Sequence, residues 1–140
     1  MKKSSFLEVN MLVVLDTNVL FSAIFWRTES YKIVKMIEEG KIKNFISNEI
    51  LNELRDILTR KNINGEKIEE IVTAMVKISK LIKPLKKHKA VINDPKDDIF
   101  VDCAVAAEAD YIITKDKHIL SLGEYMGTGI VTPREFLEII

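Results

Sequence analysis

Five consecutive apolar residues, Met11-Leu12-Val13-Val14-Leu15, run directly into Asp16, Thr17 and Asn18 before apolar residues return. The run is too short for a helix of its own and carries two β-branched residues, so it reads as a strand. Because it lacks polar alternation, both of its faces have to be covered. A strand buried on two sides belongs in a parallel sheet with helices on each face. Asp16 then poses a problem, since a buried carboxylate needs a cap, a counter-ion or a metal.

The remaining chain fits that architecture. Val19 to Phe25 reads as a helical turn or short helix. "SYKIVKMIEEG" places Ile33, Val34, Met36 and Ile37 on one stripe between Ser30, a plausible N-cap, and Gly40. "NFIS" is a short strand, and "SNEILNELRDILTRK" is an amphipathic helix capped by Ser47 with Ile50, Leu51, Leu54, Ile57 and Leu58 inward. Beyond the turn "NING", a helix is expected over residues 66–82 and a short strand within "HKAVIND". "DPKDD" is a carboxylate-rich turn, and "IFVDCAVAAEA" is a helix buried on most sides. "DYIIT" and "GIVT" are strands, "KDKHILSLGEY" is a loop and short helix, and "PREFLEII" is a final helix with Pro133 near its start. Alternating strands and helices predict a three-layer α/β/α sandwich around a mainly parallel sheet.

The 140 residues suit one domain over residues 11–140, with residues 1–10 as a flexible extension and Met11 as an alternative start. The 21 basic and 21 acidic residues cancel, so nucleic-acid contact has to come from a local patch. A single cysteine, Cys103, excludes an internal disulfide framework and a cysteine-rich zinc site, which fits a cytoplasmic setting. No apolar run reaches the roughly 18 residues of a membrane span, and the first ten residues make a poor signal peptide.

Several acids resist a bland reading. Asp16 follows the first strand and Asp116 follows "YIIT", and the carboxyl ends of strands are where ligands bind in open α/β sheets. Each also suits a helix N-cap or turn. Asp102 is the one charge inside an apolar helical segment, with Asp98 one turn earlier; two carboxylates at i and i+4 repel unless a cation or water answers them. Glu53 flanks the apolar stripe of its helix, with Glu49 on much the same side. An oxygen-rich set without a His or Cys cluster suits Mg²⁺ or Mn²⁺. His88 and His118 read as solvated, Cys103 as core packing, and residues 80–89 as a lysine-rich solvated face or a phosphate-binding stretch. Trp26 and Arg27 read either as lining a substrate groove or, for Trp26, as simple packing.

Taken together these segments resemble the PIN-domain ribonucleases, especially the prokaryotic toxin-like proteins related to VapC toxins. The resemblance covers nearly all of residues 11–140: "VVLDTNVLFSA" carries the first acid at Asp16, "SNEILNELRDIL" the second at Glu53, and "DPKDDIFVDCAVAAEADYIITKD" the acidic loop, the helix acid at Asp102 and the last acid at Asp116. It implies metal-dependent RNA hydrolysis by Asp16, Glu53, Asp102 and Asp116. Mg²⁺ or Mn²⁺ would be held by these four with help from Asp97 or Asp98, Asp94 being a further choice in the loop. Thr17, Asn18 and Thr114 would support that shell by hydrogen bonds. It also implies RNA as substrate, an antitoxin protein as partner and a homodimer. A noncatalytic PIN-fold binding module is the alternative. An aspartyl phosphohydrolase fits less well, because Asn18 stands where a second aspartate is usual.

Overall fold

The computed structural model describes residues 11–91 and 95–140; the proposed extension over residues 1–10 and the loop residue Asp94 lie outside them. Strands β1 (Leu12–Leu15), β2 (Lys43–Ile46), β3 (Ser79–Leu81), β4 (Tyr111–Ile113), β5 (Glu124–Tyr125) and β6 (Thr128–Val131) form one sheet in the order β3-β2-β1-β4-β6-β5. Every pairing is parallel except β5 with β6. Val13, Val14 and Leu15 are all buried. Successive strand residues point to opposite faces, so β1 is covered on both, as the unbroken apolar run requires.

The helices are α1 (Thr17–Phe25), α2 (Glu29–Glu38), α3 (Asn48–Arg60), α4 (Gly65–Ile78), α5 (Asp98–Ala107), α6 (Lys117–Leu120) and α7 (Pro133–Ile139), with a 3-10 turn at Pro95–Asp97 before α5. The chain is a three-layer α/β/α fold. Helix α5 packs on β1, β2 and β4, while α7 packs on β6 and meets α2. Their starts are set by local chemistry. Ser47 Oγ accepts from Ile50 N at 3.2 Å, and Asn64 Oδ1 from Lys67 N at 2.8 Å. Thr132 and Glu135 form a reciprocal capping box around Pro133.

Three local readings need correction. Helix α4 ends at Ile78 instead of running on to residue 82, because residues 79–81 leave it to extend the sheet beside β2, where Asn44 Nδ2 donates to Ser79 Oγ at 2.9 Å. Helix α2 starts at Glu29 behind Thr28, while Ser30 is buried inside its first turn. Residues 88–91 form no strand; they lie against α5, whose carboxylates take over the role that a neighbouring strand would have played for their N–H groups. The sequence also hides β5, which turns into β6 through Met126 (φ 49°) and Gly127 (φ 89°), the pair of positive φ values that a two-residue hairpin of the primed type requires.

Candidate metal centre

Parallel pairing of Leu15 with Ile113 brings the ends of β1 and β4 to one edge, and therefore Asp16 beside Thr114. Asp16 is 2% exposed and works as the N-cap of α1: its Oδ1 accepts from Val19 N at 2.8 Å, and its Oδ2 accepts a short hydrogen bond from the Thr114 hydroxyl. Thr114 Oγ1 in turn accepts from Asp116 N at 3.0 Å, so one hydroxyl ties the two strand ends together. Asp116 caps α6, its Oδ1 accepting from His118 N at 2.8 Å and Ile119 N at 3.3 Å. Capping and membership of a site are thus combined in both residues.

A pocket of about 520 Å³ opens at this edge, lined by Asp16, Thr17, Asn18, Glu53, Asp56, Ile57, Arg60, Lys96, Asp97, Phe100 and Asp116. Five carboxylates face two cations. Helix α3 supplies Glu53, Asp56 and Arg60, which recur at i, i+3 and i+7 and so share one helical face; Arg60 Nη2 lies 3.8 Å from Glu53 Oε1. Carboxylate oxygens of Asp97 and Asp116 and a ring nitrogen of His118 fall within 4.8 Å of one another. Burial raises the Asp16 carboxyl above its ordinary value of 3.8 and the Asp116 charge adds to this, against the lowering effect of the Thr114 and Val19 hydrogen bonds. Thr17 Oγ1, buried in the pocket wall, has no hydrogen-bond partner.

The structure therefore unites Asp16, Glu53, Asp97 and Asp116, with Thr17 and Asn18 in the wall and Thr114 behind Asp16. It separates Asp98 and Asp102 from them. These two share a face of α5, as their spacing demands, but that face meets residues 88–91. Asp98 Oδ1 accepts from Ala90 N at 3.1 Å and Val91 N at 2.8 Å, while Asp102 Oδ1 accepts from His88 N at 2.7 Å and lies 2.7 Å from His88 Nδ1. Backbone N–H groups and a histidine answer the repulsion that seemed to call for a cation. Glu49 likewise lies outside the pocket lining. His118 is exposed, as its reading as solvated requires, and also stands beside Asp97 and Asp116; the same reading fails for His88, whose side chain is held against Asp102 and largely covered. Asp56 and Arg60 were legible in principle as one helical face with Glu53, whereas Lys96 carries no signal beyond its neighbour Asp97.

The donor set fits a divalent cation. A buried carboxyl whose charge is disfavoured, four further acids lining the same pocket and a wall hydroxyl without a partner are what a hard, oxygen-seeking ion would satisfy.

The family model described as PIN domain matches residues 12–118. No curated protein matches the chain. Among solved structures, VapBC2 from Rickettsia felis, crystallised bound to a DNA fragment from their promoter, superposes with a TM-score of 0.61 at 14% identity over 86% of this chain and 97% of that one. PAE2754 from Pyrobaculum aerophilum gives a TM-score of 0.59 at 13% identity over 92% and 89% of the two chains. FitAcB from Neisseria gonorrhoeae gives 0.52 at 14% identity over 87% and 98%. At such identities the likeness is one of fold, while the family match spans most of the sequence and the sheet, helices and acidic edge agree with it: the chain belongs to the PIN domain family.

Proposed function

We propose that the protein is a metal-dependent endoribonuclease that hydrolyses RNA phosphodiester bonds at the carboxyl edge of its sheet. The observation that carries this reading is that Asp16, Glu53, Asp97 and Asp116 line one pocket together with Arg60 and Lys96. Asp16, Asp97 and Asp116 would hold Mg²⁺ or Mn²⁺, with His118 within reach. An imidazole at that position favours Mn²⁺ over Mg²⁺, which prefers oxygen ligands. When bound, such an ion polarises a scissile phosphate and lowers the pKa of a bound water.

The chain's own groups do the rest. Arg60 and Lys96 draw a phosphate toward a pocket whose acids alone would repel it. Glu53, on the α3 side, holds or accepts a proton of the attacking water at a carboxylate oxygen, and Thr114 keeps Asp16 oriented through its hydroxyl. Asp98 and Asp102 are left to fold the segment before the pocket. The resemblance to VapC-related toxins supports a further reading of the protein as the toxin half of a toxin–antitoxin pair, cytoplasmic and dimeric, restrained by a small antitoxin protein.

The test is cleavage of mixed single-stranded and structured RNAs in Mn²⁺, Mg²⁺ or EDTA by wild type and Asp16→Asn. Cleavage that needs metal and Asp16 is expected. Equal activity of wild type and variant in every condition would give the fold a noncatalytic binding role instead. Expression with and without the neighbouring reading frame tests the toxin reading, and harmless expression of an active enzyme would remove it.

A further inference from the structure

The face of α1 that begins in the pocket continues beyond it. Asn18 lines the pocket, and Phe21 and Phe25 follow at i+3 and i+7, on the same face. With Trp26 these rings form an aromatic cluster: centroids lie 4.9 Å apart for Phe21 and Phe25, 5.6 Å for Phe21 and Trp26, and 6.1 Å for Phe25 and Trp26. The opposite side of α1 supplies the core through Val19, Leu20 and Ala23, whereas Phe25 is 39% and Trp26 55% exposed.

Cations bound the cluster at both ends. Lys61, which follows the pocket residue Arg60, holds its Nζ 5.9 Å from the Phe21 centroid. Arg27, next to Trp26, stacks 4.8 Å over the Tyr31 ring and donates from Nη1 to Tyr31 Oη at 3.0 Å. Exposed aromatic side chains beside basic ones, on the helix face that leads away from the acidic pocket, match the two elements of a single-strand binding track: bases stack on aromatics and phosphates meet cations.

We propose that Phe25 and Trp26 form a stacking platform for unpaired bases of the RNA strand whose scissile phosphate enters the acidic pocket, with Arg27, Lys61 and Arg60 on the adjoining phosphates. The identity of the ligand rests on the nuclease reading. A duplex keeps its bases stacked on one another and offers the platform nothing, so the site selects single-stranded RNA.

Trp26 is the sole tryptophan of the chain, so its fluorescence reports the platform directly. In Mn²⁺, titration of the full chain with a short phosphorothioate-linked single-stranded RNA, which resists cleavage, is expected to quench Trp26 emission to saturation, and a duplex of equal length to leave it unchanged. Trp26→Ala is expected to bind a fluorescently labelled single strand about 5- to 100-fold more weakly, and Trp26→Phe to recover most of the affinity. The Mn²⁺-induced rise in melting temperature should be equal in all three, which separates lost stacking from a damaged fold or pocket. Unchanged emission at saturating RNA, or wild-type affinity in Trp26→Ala, would overturn the platform. So would an emission shift that follows protein concentration without RNA, which would give this face to a second copy of the chain. RNA cleavage unimpaired by Trp26→Ala removes the platform and leaves the nuclease reading standing; RNA binding through Trp26 without any cleavage does the reverse.

Discussion

Two acidic groups lie within a few residues of each other and meet different fates. Asp97 ends the 3-10 turn and faces the pocket with Asp16, Glu53 and Asp116. Asp98, the next residue, turns with Asp102 toward residues 88–91 and is consumed by backbone N–H groups. In sequence the second pair looks the more suspicious, because Asp102 interrupts an apolar helix. In space it is the better answered, with both Asp102 and His88 side chains only 12% exposed and 2.7 Å apart. An unusual carboxylate therefore signals an unusual partner, and only the fold tells whether that partner is the protein itself or something it binds.

The largest effect is expected at the pocket. Asp16→Asn is expected to lower RNA cleavage by about 100-fold or more while leaving the fold intact, since an asparagine can still accept from Val19 N; single-turnover kinetics with circular dichroism would check both halves. The opposite pattern is expected for the structural pair. Asp98→Ala strands the N–H groups of Ala90 and Val91, both buried, and should cost about 2–4 kcal/mol in a denaturant unfolding curve. That loss should appear without any change in the metal response of the protein that remains folded.

A smaller effect follows from the raised pKa of Asp16. In metal-free protein the folded state holds the Asp16 proton at pH values where the unfolded chain, near 3.8, has released it. Between those two values the folded state binds more protons. The Asp16 contribution is therefore fully present below 3.8, is lost as pH rises through the folded value, and is flat above it. The stability difference between Asp16→Asn and wild type in EDTA should shift in favour of the variant through that window, as read from paired melting curves. Smallest of all, the Cys103 thiol, one residue from Asp102 but turned into the core, is pushed up to about 12, first by burial and then by the Glu49 and Asp102 charges. It should resist thiol reagents near neutral pH until the protein unfolds.

Much of this was legible in the chain. The unbroken "VVL" at 13–15 required a sheet covered on both faces, and the helical stripe of residues 50–58 set α3 correctly. The edge strand β3 was not legible, because Ser79, Lys80 and Leu81 continue the apolar rhythm of α4 and only their pairing with β2 makes them a strand. At the site, Asp16 and Asp116 could be read from strand ends, whereas Glu53 alone reads as an ordinary flanking charge of its helix and gains its place from the company of the other acids and the resemblance. The choice between Asp97 and its neighbours could not be read, since a single residue's rotation at the start of α5 decides which carboxylate faces the pocket and which faces residues 88–91.

Which of these carboxylates faces the metal is open to a direct test. Titration of wild type, Asp97→Asn and Asp102→Asn with Mn²⁺, followed by calorimetry, measures it without any substrate. Asp97→Asn is expected to lose most of the binding and Asp102→Asn to keep it while melting at a lower temperature. Binding that survives Asp97→Asn and disappears in a folded Asp102→Asn would contradict this assignment and return the metal to the far side of α5.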